Sequence, residues 1–132
     1  MSQAHDQLLL ANAAFYAAFA GGDLPALDEL WARDCDVAVL HPGWPPVFGR
    51  DGIMESWRRI FEGPQPPDVV CGDARAFLLG ESGFVVCIEN LGDGALIATN
   101  IFVREGGSWR IVHHQAGPAA GGSLEPAPTA VH

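Results

Sequence analysis

Between residues 4 and 20 apolar side chains recur at helical spacing: Leu8, Ala11, Phe15, Ala18 and Phe19, with alanine filling much of the rest. Leu9, Leu10 and Tyr16 add apolar surface outside that stripe, so the predicted helix is one enclosed by other elements. Gly21 and Gly22 supply a stop. Asp23 then suits the N-cap of a second helix, with Pro25 in its first turn and Leu24, Leu27, Leu30 and Trp31 as its apolar set. A short strand is expected over Val37 to His41, and Pro42 to Gly49 form a Pro/Gly turn carrying Trp44. A third helix is expected from Asp51 to Glu62, with Ile53, Trp57, Ile60 and Phe61 inward.

The pattern changes after Gly63. Pro64, Pro66 and Pro67 make a linker that cannot be helical. Four strands are predicted, over residues 69–79, 83–91, 95–104 and 109–116, joined by short Gly-rich turns that favour antiparallel hairpins. Three helices followed by such a meander predict an α+β domain over residues 1–117, with the helices packed on one face of a curved antiparallel sheet. Residues 118–132 hold Gly, Pro and Ala with little to bury and are expected to be a flexible tail.

The 132 residues include 16 acids and 7 bases, a formal charge of −9. That balance repels a phosphate backbone and an anionic bilayer, so neither nucleic acid nor membrane is an expected partner. All the bases are arginine, which excludes Schiff-base chemistry and a P-loop lysine. Cys35, Cys71 and Cys87 form no CxxC pair, so no structural zinc site is implied, and three widely spaced cysteines fit a reducing cytoplasm.

The segments "AFYAAFAGGDLPALDELWARD", "HPGWPP" and "NIFVREGGSWRIVHHQAG", in this order, resemble the SnoaL-like branch of the NTF2-like superfamily over residues 4–117. The resemblance implies a cone-shaped barrel in which a bent sheet wraps the long first helix and leaves a pocket at its open end. It also implies dimers through the outer sheet face. Its members include ketosteroid isomerases, scytalone dehydratase, polyketide cyclases, a kinase association domain and pure binding domains, so the fold alone does not fix the function.

Several residues could carry chemistry. His41 ends the first strand near the place where the isomerases carry an Asp-Pro base, and an imidazole titrates near neutrality. Glu89 and Asn100 interrupt apolar strands, and a carboxylate there needs a partner or a wet cavity. Resemblance to the association domain points both into the pocket, where that family has arginines, so anion binding is not implied. Alternation along "WRIVHHQ" puts Trp109, Ile111, His113 and Gln115 on one face. Relatives carry histidines at the His113 and Gln115 places, which makes that face the inner one. Trp31, Trp44 and Trp57 are expected in pocket wall and core, with Trp44 on a rigid turn able to close over a ligand. Tyr16 is the only tyrosine. The isomerases carry an oxyanion-donating tyrosine on this helix, but Phe15 aligns there better. Phe102 shares the Asn100 face.

The expected site is thus one cavity holding His41, Trp44, Glu89, Asn100 and His113, with no cofactor and no metal, since the ligand-type residues lack tight spacing. Its occupant is a small apolar or aromatic molecule in a mainly binding or scaffold role. The alternative is an isomerase, dehydratase or cyclase using His41 with Glu89 or His113. Ile88 and Val112 on the other sheet face predict a homodimer there.

Overall fold

Ser2 opens the first helix, α1 (Gln3–Gly21), by accepting the His5 amide on its hydroxyl at 3.2 Å. Gly22 ends it in the left-handed region at φ 62, and the Asp23 amide reaches back to the Ala18 carbonyl at 2.9 Å. That pair of features is a Schellman-type stop. Asp23 also caps α2 (Leu24–Leu30) by accepting the Ala26 amide at 3.1 Å. α3 spans Arg50–Phe61. The computed structural model describes residues 2–64 and 67–119. The expected tail lies outside the described residues from residue 120 on.

The six strands are β1 (Ala38–Leu40), β2 (Val47–Phe48), β3 (Val70–Leu79), β4 (Ser82–Asn90), β5 (Ala95–Glu105) and β6 (Ser108–Pro118). They form one sheet in the order β2-β1-β6-β5-β4-β3. The four long strands pair antiparallel as expected. One pairing departs from an all-antiparallel sheet: β1 runs parallel to β6, setting Ala38 opposite His113 and Val39 opposite His114. A three-residue strand reached after two helices has no hairpin to dictate its direction, and it adds to the free edge of β6.

The helices cover one face of this curved sheet. The core between them holds Leu8, Phe15, Trp31, Val39, Ile53, Trp57, Val85 and Ile111, all fully buried. Phe15, Phe19 and Trp57 meet edge to face, with Phe19 4.8 Å and Phe15 5.8 Å from the Trp57 ring. Burying about 150–250 Å² per aromatic ring at about 25 cal/mol per Å² makes this cluster a main source of cohesion. Gly83 lets α1 approach β4: a Cβ there would lie 2.7 Å from the Leu8 side chain and 2.8 Å from the Phe77 carbonyl.

Two bulges decide which side chains face the helices. In β3 the register slips between Gly72 and Arg75, so Asp73 and Ala74 together oppose Cys87, and Asp73 takes φ 52. In β6, Ile101 pairs with His113 but Phe102 pairs with Ile111, leaving Val112 as the extra residue. Parity therefore resets at Val112. Trp109 and Ile111 face inward below the bulge, and His114 and Ala116 face inward above it.

Candidate functional site

Alternation in β4 turns Val85, Cys87 and Glu89 inward, and in β5 it turns Ala98, Asn100 and Phe102 inward. Glu89 and Asn100 thus share the inner face, as expected. The β6 bulge overturns the expectation for His113: it faces outward with Phe48, Ile101 and Val112, and Gln115 is exposed. His114 takes the inward place, fully buried beside Phe15. The expected cavity uniting His113 with Glu89 and Asn100 is corrected accordingly.

Tyr16 completes the inner cluster, and Phe15 beside it packs in the core without a polar contact. Both rings are buried, but the Tyr16 hydroxyl donates to Glu89 Oε2 at 2.7 Å. Asn100 gives its two Nδ2 protons to Asn12 Oδ1 at 2.9 Å and to the Tyr16 oxygen at 3.1 Å. Cys87 directs its thiol at the same oxygen, 3.3 Å away. Asn100 Oδ1 then accepts from His114 Nδ1–H at 2.6 Å. With Nδ1 protonated, neutral His114 presents the lone pair of Nε2, which stands 3.6 Å from Glu89 Oε2.

Burial raises the Glu89 carboxyl above its ordinary range, against a smaller opposing effect of the Tyr16 hydrogen bond. Burial also lowers His114 to about 3, helped by the charges of His41 and His113. Both shifts favour neutral acid beside neutral imidazole, the arrangement that avoids two ions in a dry interior. Burial, then the nearby Glu89, pushes the Tyr16 phenol far up, so it stays a donor.

His41 forms a second, separate unit. Ser56 donates its hydroxyl proton to the Ile53 carbonyl at 2.7 Å, so its oxygen accepts from His41 Nε2–H at 2.9 Å. That fixes neutral His41 with its lone pair on Nδ1. Burial lowers its pKa to about 4. The ring packs against Trp57 at 4.7 Å and Trp44 at 5.1 Å, and stands 6.4 Å from His114.

A cleft of about 280 Å³ opens beside this unit, walled by Trp44, Pro45, Pro46 and Val47 and floored by Ser56, with the Arg59 guanidinium 5.1 Å from the Trp44 ring centre. A larger cleft of about 520 Å³ lies between Arg33, Phe48 and Arg50, and none of the expected site residues borders it. Size therefore does not identify the site; chemistry does. Trp31 and Trp57 are fully buried core residues, and Phe102 packs with them. Among the described residues no group of three or more metal-ligating side chains converges.

Asn12, Ser56 and His114 were not among the expected residues. The first two had a legible signal: Asn12 falls in the apolar stripe between Leu8 and Phe15, and Ser56 lies three residues after Ile53 on the inner side of α3. His114 had none, because its orientation depends on the bulge.

The sequence profile of the SnoaL-like domain family matches residues 9–121. Among solved structures, a provisionally named dehydratase of the NTF2-like family from Streptomyces avermitilis is similar at 28% identity and TM-score 0.78, over 87% of this chain and 95% of that one. A protein from Thiobacillus denitrificans, provisionally named a calcium/calmodulin-dependent protein kinase type II association domain, is 32% identical at TM-score 0.70, over 83% of this chain and 92% of that one. Among curated proteins, the F-box protein SKIP8 of Arabidopsis thaliana is 24% identical over 111 residues, 83% of this chain. The match covers 48% of that protein, so this chain corresponds to about half of it.

Proposed function

This chain belongs to the SnoaL-like domain family, and from that premise we propose that it is a small-molecule-binding domain that takes an apolar or aromatic ligand at the Trp44 cleft and assembles through its outer sheet face. The observation that carries the reading is the contrast between the two polar units. The Tyr16–Asn100–His114–Glu89 cluster is sealed, with Glu89 only 2% exposed, and its hydrogen bonds are mutually satisfied. It reads as a specificity-giving core network. The His41–Ser56 unit is buried too, but Ser56 reaches the floor of a cleft walled by Trp44, Pro45, Pro46 and Val47 with Glu55 and Arg59 at its side, a mainly apolar surface suited to a flat ring, and His41 lies behind that floor against Trp44. The Thiobacillus denitrificans relative, named as an association domain, is in keeping with an assembly role. A cytoplasmic location belongs to the same proposal and rests on the cysteine pattern; among the described residues no helix is long and apolar enough to cross a membrane.

A second reading has its own support. His41 keeps an unprotonated Nδ1 at neutral pH and is oriented by Ser56, two features that a general base needs. The Streptomyces avermitilis relative is named as a dehydratase. In this reading His41 removes a proton from a ligand held against Trp44, and the sealed Glu89–His114 pair holds the geometry without touching substrate.

The test is a thermal-shift screen with small aromatic compounds, followed by Trp44→Ala. Binding at the cleft raises the melting temperature of the parent by mass action and fails to raise that of the variant. Hits that stabilise Trp44→Ala equally, or an absence of hits, would overturn the cleft as the binding site. Turnover of any hit that is lost in His41→Gln while binding persists would decide for the second reading.

A further inference from the structure

Two of the three cysteines end up together. Cys71 on β3 lies opposite Glu89, and Cys87 lies two residues before Glu89 on β4. Both side chains face inward, and both sulfurs end in the same hydrogen-bond circuit. Asn12 Nδ2 donates to Cys71 Sγ at 3.6 Å, and Cys87 directs its thiol at the Tyr16 oxygen at 3.3 Å. Asn100 joins the two arms through Asn12 and Tyr16. The nearness of the two thiols holds Cys71 below the ordinary thiol range and, together with burial, pushes Cys87 well above it. The two are unequal in access: Cys71 is half-buried and Cys87 fully buried.

We propose that Cys71 and Cys87 are an oxidisable thiol pair that closes to a disulfide between β3 and β4 on exposure to a hydroperoxide. The half-buried Cys71 is the attacking thiolate. It displaces hydroxide from hydrogen peroxide and becomes a sulfenic acid, so the peroxide takes the two electrons that sulfur loses. Cys87 then attacks that sulfur, its proton leaves with the sulfenic oxygen as water, and the disulfide forms. The division of labour follows position, since an attacking thiol must meet the oxidant and a resolving thiol need only meet its partner.

The backbone can accommodate the bond. Diagonal neighbours on paired strands stand roughly 7–8 Å apart, up to about 1.2 Å beyond the Cα range of about 4.4–6.8 Å for a disulfide, so closure needs the strands to shift. The β3 bulge lies directly opposite Cys87, and it breaks the ladder on the stretch of strand that has to move. Closure would remove the Cys87 thiol proton from the Tyr16 oxygen and turn Cys71 away from Asn12. Tyr16 and Asn12 are the two acceptors of Asn100 Nδ2, so the oxidation state of the pair is transmitted to the buried network.

Exposed Cys35 is removed first, as Cys35→Ser in the full chain, so that it cannot form bridges between molecules. After treatment with hydrogen peroxide the two remaining thiols, counted under denaturing conditions, fall from two to none. The intact mass drops by two hydrogens, a Cys71–Cys87 linked peptide appears in a non-reducing digest, and dithiothreitol reverses all three changes. Adding Cys87→Ser leaves Cys71 stalled as a sulfenic or sulfinic acid. The proposal is overturned if Cys71 in the Cys35→Ser protein is oxidised to the sulfinic acid without a link. It is equally overturned if the link joins two molecules, or if both thiols survive peroxide that fully oxidises free glutathione.

Discussion

His114 presents Nε2 to Glu89 Oε2 at 3.6 Å while its Nδ1 proton is committed to Asn100. In this dry interior burial raises the carboxyl above its ordinary range and lowers the imidazole to about 3, so both shifts act against an ion pair between them.

Glu89→Gln mimics the protonated acid. Its amide oxygen can take the Oε2 place and accept from Tyr16, and like the protonated acid it carries no charge. We expect its stability at pH 7 to stay within about 1 kcal/mol of the parent. Glu89→Ala leaves the Tyr16 donor unpaired and opens a cavity, at a cost of about 2–4 kcal/mol. Urea denaturation of both variants checks this. A Gln variant as damaged as the Ala variant would mean that the native carboxyl is ionised.

Acid should unfold the domain through its histidines. His41 and His114 titrate at about 4 and about 3 when folded, against 6.5 for the free side chain. The unfolded chain takes up protons below pH 6.5 that the native state refuses. Their stabilising contribution is complete above pH 6.5 and is lost as pH falls toward those values. For His41 alone the loss amounts to about 3 kcal/mol. Glu89 acts in the opposite sense: with its folded pKa raised, its contribution is complete below about 4.5 and is lost as pH rises. Urea midpoints between pH 7 and pH 4 should fall, and His41→Gln should flatten that slope. An unchanged slope would remove His41 from the account.

Much of this interior was legible along the chain. Glu89 and Asn100 stand out because strands that are otherwise apolar cannot carry them without partners, and simple alternation puts them on one face. His114 was not legible, since a bulge of one residue at Val112 exchanges it with His113 and no local turn signal marks the position. The burial of Tyr16 agrees with the expected enclosure of its helix. Tyr16 follows Phe15 directly, so the two point about 100° apart on the helix, and only enclosure of α1 by β4, β5 and α3 lets both be core residues. The parallel pairing of β1 was hidden because three residues hold no directional pattern.

Trp44→Ala should separate binding from folding. The indole is only part-buried, on a turn held by the bond from its own amide to the His41 carbonyl at 3.0 Å, a contact the variant keeps. We expect a stability loss of at most about 1 kcal/mol and at least a tenfold weaker affinity for an aromatic ligand, about 1.4 kcal/mol. Trp57→Ala makes the contrast: that ring is fully buried among Phe15, Phe19 and His41, and its loss should cost about 3–5 kcal/mol. Calorimetric titration and thermal melts on the two variants distinguish a wall residue from a core residue.

The outer sheet face leads to the last expectation. Phe84 and Val86 on β4, Ile97, Ile101 and Val103 on β5 and Val112 on β6 lie opposite to the helices and are only part-buried. Phe77, 42% exposed, stacks on Phe84 at 4.8 Å, and Leu79 is 60% exposed beyond it. A sheet apolar on both faces has a second surface to cover. A second copy of the chain would cover it isologously, with a stable contact needing about 800 Å² from each partner. Ile101 sits at the middle of this face, paired with Phe84 on one side and His113 on the other. Ile101→Glu would place like charges face to face across a two-fold axis. We expect the parent to sediment as a dimer at micromolar concentration and Ile101→Glu as a folded monomer with an unchanged far-ultraviolet circular dichroism spectrum. A parent that is monomeric under those conditions would refute the dimer. A variant that remains dimeric would move the interface off this face.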